Sequence, residues 1–195
     1  IGCAARCVQD LRDLAFARVN RDDVERSIAA HGSLEQALAA YDRTLVDYGV
    51  RHILERAAAL RLPVNFNTGH YAGAFAEPLE RISRNLADLE PLIREFRDTA
   101  FVLMHHAYPY GEAATTLAKS YPNCYIDQCW LWAMNPAAGS RYLKEFLAGC
   151  PWTKLFAFGG DYWYIEGSLG HLDLARQGVC VALAELVRDG LLDAG

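Results

Sequence analysis

No apolar run in this sequence approaches the roughly 20 residues needed to span a membrane. The first stretch places Arg6, Asp10, Arg12 and Asp13 where a signal peptide needs an uncharged apolar core. Both absences exclude a membrane partner and point to a cytoplasmic chain. A basic excess is missing too: 19 Lys and Arg against 24 Asp and Glu give a formal charge of -5. That balance lacks the electrostatic footprint of a nucleic-acid binder. Of the six cysteines, neither the Cys3/Cys7 nor the Cys124/Cys129 pair has CxxC spacing, so they read as buried free thiols. There is no Gly/Ser linker, low-complexity tract or internal repeat beyond an alternation of strands and helices.

What remains is ordinary globular composition, 52% hydrophobic and 22% charged, in a chain of 195 residues. At about 150 residues per domain this reads as a single α/β domain over 1–195. Such a chain buries roughly 70% of its unfolded surface and needs neither disulfide nor structural metal for stability. The chain opens on Ile1 rather than Met, which suggests a processed product, a fragment or an incomplete sequence.

Residues 1–60 form a helical lead-in. Residues 4–19 carry Val8, Leu11, Leu14 and Ala15 at helical spacing, and Asn20 to Asp23 interrupts them. Ser33 and Gln36 form a capping-box pattern ahead of Leu34, Leu38, Tyr41, Leu45 and Tyr48, with Gly49 as a break or kink. A further helical pattern runs from Ile53 to Arg61. Over 61–195 the rhythm becomes four βα units, the signature of a parallel sheet. The strand candidates are 62–67, 101–105, 123–128 and 154–158. The helix candidates are 88–96, 112–121, 136–147 and 169–187. Asn135 with Pro136 marks one helix start, Ser168 is a candidate cap for the last helix, and Gly190 suits its stop.

Reactive groups of parallel α/β folds gather at the carboxyl ends of strands. Here those ends read Asn67-Thr68-Gly69-His70, His105-His106, Asp127-Gln128-Cys129-Trp130 and Gly159-Gly160-Asp161. Each carries a polar or ionisable residue, the supply expected of a metal or acid/base site. Strand alternation would turn only one of His105 and His106 inward, and His105 is favoured. Asp161 can instead cap the following helix, and His70 can be a solvated loop residue. Asp127 serves equally as a strand-end cap or as a carboxylate that orients a ligand. Trp130 and Trp132 flank Leu131, so one lines the pocket rim and the other packs against a helix.

Four ordered stretches, Leu62 to Gly69, Phe101 to His105 with Tyr108-Pro109-Tyr110, Tyr125-Ile126-Asp127 and Phe158 to Asp161, together resemble the amidohydrolase-2 family of metal-dependent hydrolases. The resemblance implies a (β/α)8 barrel that hydrolyses or decarboxylates a small carbonyl compound with one divalent, zinc-class metal. It places Asp161 as the aspartate after the last strand, which binds metal and helps activate water, and His105 as the acid/base histidine after the sixth strand. Asn67 stands where the family has a metal-ligand histidine, and His70 could reach back as a replacement. The family's H-x-H pair after the first strand is absent.

The implied fold is therefore the second half of a barrel, strands five to eight, since a whole barrel takes about 250 residues. Such a chain would be a metal-dependent hydrolase of a small-molecule substrate or a non-catalytic descendant serving binding or assembly. Four parallel strands from an open barrel leave two unpaired edges, which favours a homo-oligomer. Light scattering on the isolated chain is expected to give a dimer or larger; a monodisperse monomer near its 21.7 kDa mass would contradict this.

Overall fold

A computed structural model describes residues 15–69 and 79–193. Three helices lead: α1 (Arg21–His31), α2 (Leu34–Ala39) and α3 (Arg43–Leu60). Strands and helices then alternate as β1 (Val64–Phe66), α4 (Leu79–Glu95), β2 (Phe101–Leu103), α5 (Gly111–Ser120) and β3 (Cys124–Asp127). The short α6 (Leu131–Met134), α7 (Pro136–Gly149), β4 (Leu155–Phe156) and α8 (Ile165–Arg188) complete the order. The strands pair in parallel in the order β1-β2-β3-β4. The fold is thus mixed α/β around one parallel sheet, with every strand opening its carboxyl end towards the same rim.

The pairing register accounts for the burial. Val64, Phe66, Phe101, Leu103, Cys124 and Ile126 lie on one face and join Leu54, Leu89, Ile93, Ala114 and Phe146 in the main core. Phe66 stacks on Phe101 with ring centroids 5.4 Å apart. The other face presents Asn65, Val102, Tyr125 and Phe156, and Phe156 is 50% exposed. A second, smaller core joins α6, α7 and α8 around Trp132. Gly139 and Gly178 let both helices approach that indole: an added Cβ would sit 2.7 Å and 2.2 Å from it. Trp132 is therefore the packing tryptophan of its pair, and its Nε1–H donates to the Ala157 carbonyl at 2.8 Å.

Local signals explain most helix starts, and several depart from the sequence reading. Asn135 accepts from the Ala138 N–H at 3.0 Å with Pro136 following, as expected of α7. Ser33 caps α2, but the helix ends within two turns: Tyr41 takes a left-handed φ of 50° and Asp42 caps α3 afresh. Gly49 neither breaks nor kinks that run, because α3 continues through it to Leu60. Asn20 to Asp23 does not interrupt a helix but begins one. Asn20 Oδ1 accepts from the Asp23 N–H while Asp23 Oδ2 accepts from the Asn20 N–H, a reciprocal capping box. Of the helix expected over 4–19, residues 15–19 are irregular and the earlier ones lie outside the described residues. Ser168 caps nothing, since α8 starts at Ile165 and already contains it. Gly190, at φ 71°, does close α8.

Buried polar groups tie the connections to the sheet. Asn123 Nδ2 donates to the carbonyls of Ile93, Phe96 and Thr99, and the Thr99 hydroxyl donates to the Leu54 carbonyl at 2.9 Å. His106 is fully buried against Tyr142 and Phe146. Its Nδ1 accepts from Gln128 Nε2 at 3.3 Å, and its Nε2–H donates to the Thr115 hydroxyl at 3.0 Å. Both bonds fit the neutral ring, and burial pushes the His106 pKa from 6.5 down to about 3.

The unfolded chain therefore takes up a proton at His106 below about pH 6.5, whereas the folded protein does not until about pH 3. Stability is expected to be full above that window and to fall as pH drops through it, by up to about 1.4 kcal/mol per pH unit. Burial lowers the His171 pKa as well and adds to the same slope. Asn tolerates the left-handed backbone at this position. His106→Asn should cost about 1–3 kcal/mol near neutrality through lost packing and hydrogen bonds yet flatten the acid slope. Urea titrations repeated across pH would check this, and an unchanged slope in the variant would refute the assignment.

Candidate active site at the carboxyl ends of the strands

The strand ends are shaped by left-handed backbone. Among the described residues, seven non-glycine residues have positive φ, and five of them lie here: His105, His106, Ala107, Trp130 and Asp161. Such conformations cost free energy and concentrate where a fold must hold side chains in set positions. β2 ends at Leu103, so His105 and His106 belong to a tight turn and strand alternation does not decide their directions. The turn itself is fixed by the end of β1. The Thr68 hydroxyl donates to the Met104 carbonyl at 2.8 Å. Gly69, at φ 70°, lies so close to Ala107 and Tyr108 that a Cβ would sit 2.3 Å from the Tyr108 carbonyl oxygen.

His105 and His106 consequently diverge. His106 turns towards α5 and α7, into the network described above. His105 turns towards the ends of β1 and β3. Its Nδ1–H donates to the Cys129 carbonyl at 2.9 Å, and its Nε2 lies 3.0 Å from Asn67 Oδ1. The ring is 1% exposed and stacks on Trp130 at 5.4 Å, with an interplanar angle of 28°. Trp130 Nε1–H reaches the end of β4, donating to the carbonyls of Gly160 and Asp161 at 3.1 Å each. Of the expected site residues, Asn67, His105 and the Asp161 backbone are thus connected, whereas His70 lies outside the described residues.

Asp127 is the carboxylate beneath this arrangement. Its Oδ1 accepts from the Cys129 N–H at 2.9 Å. A Cβ on Gly159 would meet its two oxygens at 2.7 and 2.9 Å, so the Gly159-Gly160 pair is partly explained by room for this carboxylate. Burial raises the Asp127 pKa from 3.8 to about 6; the Cys129 N–H opposes the shift and the Asp161 charge adds to it. Trp130 was one of two equivalent tryptophans in the sequence, and the structure makes it the one beside His105. Cys129 contributes its backbone N–H and carbonyl, which no side-chain pattern discloses. A third histidine, His171 of α8, is buried against Phe158 and Tyr162.

Among the described residues, no three of His, Cys, Asp and Glu gather to hold a metal ion. Asn67 faces His105, and an amide oxygen is a poorer zinc ligand than a neutral imidazole. These residues by themselves therefore do not fit a complete zinc site. Among the described residues the four cysteines form no disulfide; Cys124, Cys129 and Cys150 are buried and Cys180 is exposed. Among the described residues, no helix is long and apolar enough to cross a membrane.

Comparison with known proteins agrees with this geometry. Residues 8–186 match the amidohydrolase family. The chain is 33% identical over 117 residues to the protein fluG of Emericella nidulans, a match covering 58% of this chain and 13% of that protein. A solved structure from Lactobacillus casei ATCC 334, assigned as a metal-dependent hydrolase, superposes with a TM-score of 0.63 at 22% identity. That match covers 88% of this chain and 43% of the other, and it shows likeness of fold. The chain thus spans less than half the length of either relative.

The Asp127 pKa yields a second linkage. Because it is raised in the folded protein, ionising the buried carboxyl costs stability. That cost is absent below about pH 4, grows as the unfolded chain releases its proton, and is complete above about pH 6. Asp127→Asn keeps an oxygen for the Cys129 N–H and removes the charge. It should stabilise the protein near pH 8, by at most about 3 kcal/mol, and have little effect near pH 4. Thermal unfolding of both proteins at both pH values tests this; an equal difference at the two would contradict it.

Proposed function

The chain belongs to the amidohydrolase family, and from that premise we propose that it carries the acid–base part of a hydrolase site for a small carbonyl compound, processed by hydrolysis or decarboxylation. The observation that carries this reading is the convergence of Asn67, His105 and the Asp161 backbone from the ends of β1, β2 and β4, linked through Cys129 and Trp130. The same reading makes the four βα units strands five to eight of a (β/α)8 barrel. It is supported by the one-sided helix cover and by the partly open face bearing Asn65, Tyr125 and Phe156, since parallel sheets are normally covered on both faces.

A divalent metal of the kind the family implies would polarise the carbonyl and lower the pKa of bound water. The described donors do not complete a site for it, so the steps here belong to the chain's own side chains. The Cys129 carbonyl holds a proton on His105 Nδ1, which directs proton exchange to Nε2. Nε2 takes a proton from the attacking water and returns it to the departing group, the work of a general base and then a general acid. The Asn67 carboxamide can present oxygen to the protonated ring or nitrogen to the neutral ring, so it serves His105 in both states. Asp161, whose carbonyl accepts from Trp130 and whose charge acts on Asp127, is the second carboxylate of this rim.

The incomplete donor set favours one second reading, a non-catalytic descendant that keeps the pocket for binding. An ester, lactone, amide and carboxylate panel, with and without added zinc, separates the two. The hydrolase reading expects turnover that falls about 10²–10⁴-fold in His105→Ala. Absence of turnover by the wild type under all these conditions, with no stoichiometric metal by elemental analysis, would reject it in favour of the binding protein.

A further inference from the structure

We infer that Trp130 is a positioning residue: its ring fixes the plane of the His105 imidazole while its indole N–H holds the Gly160-Asp161 backbone, so one side chain sets the spacing between the histidine and the aspartate. The inference rests on the hydrolase reading for its catalytic consequence, but the positioning itself is a property of the fold.

Three observations carry it. First, the His105 ring is held at its edges and on a face. The Cys129 carbonyl and Asn67 hold opposite edges, at 2.9 and 3.0 Å. The indole lies nearly parallel to the ring, at 28° and 5.4 Å, and bars it from tilting to that side. Second, the contact to the other strand end is polar and directional. A single N–H is shared between two consecutive carbonyls, Gly160 and Asp161, on the turn where Asp161 takes a φ of 50°. A left-handed non-glycine turn persists only where its surroundings hold it, and this bond is one such restraint. Third, Trp130 itself stands at φ 61°, directly after Asp127 has braced the Cys129 N–H. The turn that supplies the Cys129 carbonyl therefore also aims the indole. Beyond it, Tyr162 lies against the indole at 6.0 Å and continues the wall towards His171.

The two functions of the side chain separate by substitution. Trp130→Phe keeps a ring over His105 and removes the N–H; Trp130→Leu removes both. Neither changes the residue's preference for the left-handed backbone by much, since all three are non-glycine, unbranched at Cβ. In protein labelled with 15N-histidine, the His105 Nδ1–H held by the Cys129 carbonyl should stay visible in Trp130→Phe and exchange out in Trp130→Leu, a loss that a missing ring current does not produce. The amide signals of Asp161 and Tyr162 should move in both. His106, facing the opposite side of the turn, is the internal control and should stay in place in both variants, which distinguishes lost positioning from a damaged fold.

In turnover, Trp130→Leu should lower kcat about 10²-fold, the cost of a misplacement near 1 Å, with a smaller change in KM; Trp130→Phe should recover part of that loss. A His105 Nδ1–H still visible in Trp130→Leu would overturn the inference, whether or not the protein turns over any substrate. Its loss with an inactive wild type would uphold the positioning and reject the hydrolase reading. Equal kcat in all three proteins, with His105 displaced, would also overturn the catalytic role of Trp130.

Discussion

Parallel pairing is the constraint on which the rest of this structure depends. Because β1 to β4 all run the same way, every strand delivers its carboxyl end to one rim, and every return must be made by a helix on the covered face. The strands are only two to four residues long. Their ladder alone could not hold the ends in place, and the buried core beneath Val64, Phe66, Phe101, Leu103 and Ile126 does much of that work. The same geometry puts chemically active residues where the chain leaves the sheet. There the backbone no longer has to satisfy ladder hydrogen bonds and can adopt the left-handed turns seen at His105, Trp130 and Asp161.

Hydrogen bonds to backbone carbonyls hold those turns, together with side-chain pairs such as His105 with Asn67. His105 finds Cys129, Thr68 finds Met104, Trp130 finds Gly160 and Asp161, and Asn123 finds three carbonyls at once. In a buried, low-dielectric setting each such bond satisfies a group that would otherwise be costly. The adjacent histidines show how far the setting governs chemistry. His106 is locked neutral between Gln128 and Thr115 in an aromatic pocket, while His105 faces the rim at the strand ends. Identical side chains one residue apart acquire different work because a left-handed turn sends them to opposite sides of it.

Family membership adds meaning to this arrangement without replacing it. The amidohydrolase match extends over nearly the whole chain, while the fold relative is more than twice as long as the part this chain covers. Asn67 shows most clearly why the site must be read from its geometry. In sequence it marks a departure from a metal-ligand histidine; in the fold its amide is a partner of the very imidazole that the resemblance singles out for acid–base work.

Much of the fold is legible in the sequence, because its signals are local. The four short apolar runs became the four strands, and Asn135-Pro136 starts a helix through contacts only three residues apart. The polar stretch Asn20 to Asp23 misled because a reciprocal capping box and a loop have the same composition, and α1 buries no residue that would reveal its periodicity. Ser168 misled in the opposite way, since nothing near it in sequence shows that α8 has already begun at Ile165. The sequence alone determined the order of the four strands and the helices between them, the strand ends and the residue types available there. Tertiary structure decided which histidine faces the candidate site and which tryptophan stacks on it. Those outcomes rest on contacts to residues 20 to 40 positions away, often to a peptide carbonyl. Every residue carries that carbonyl, so no pattern of side chains can announce it.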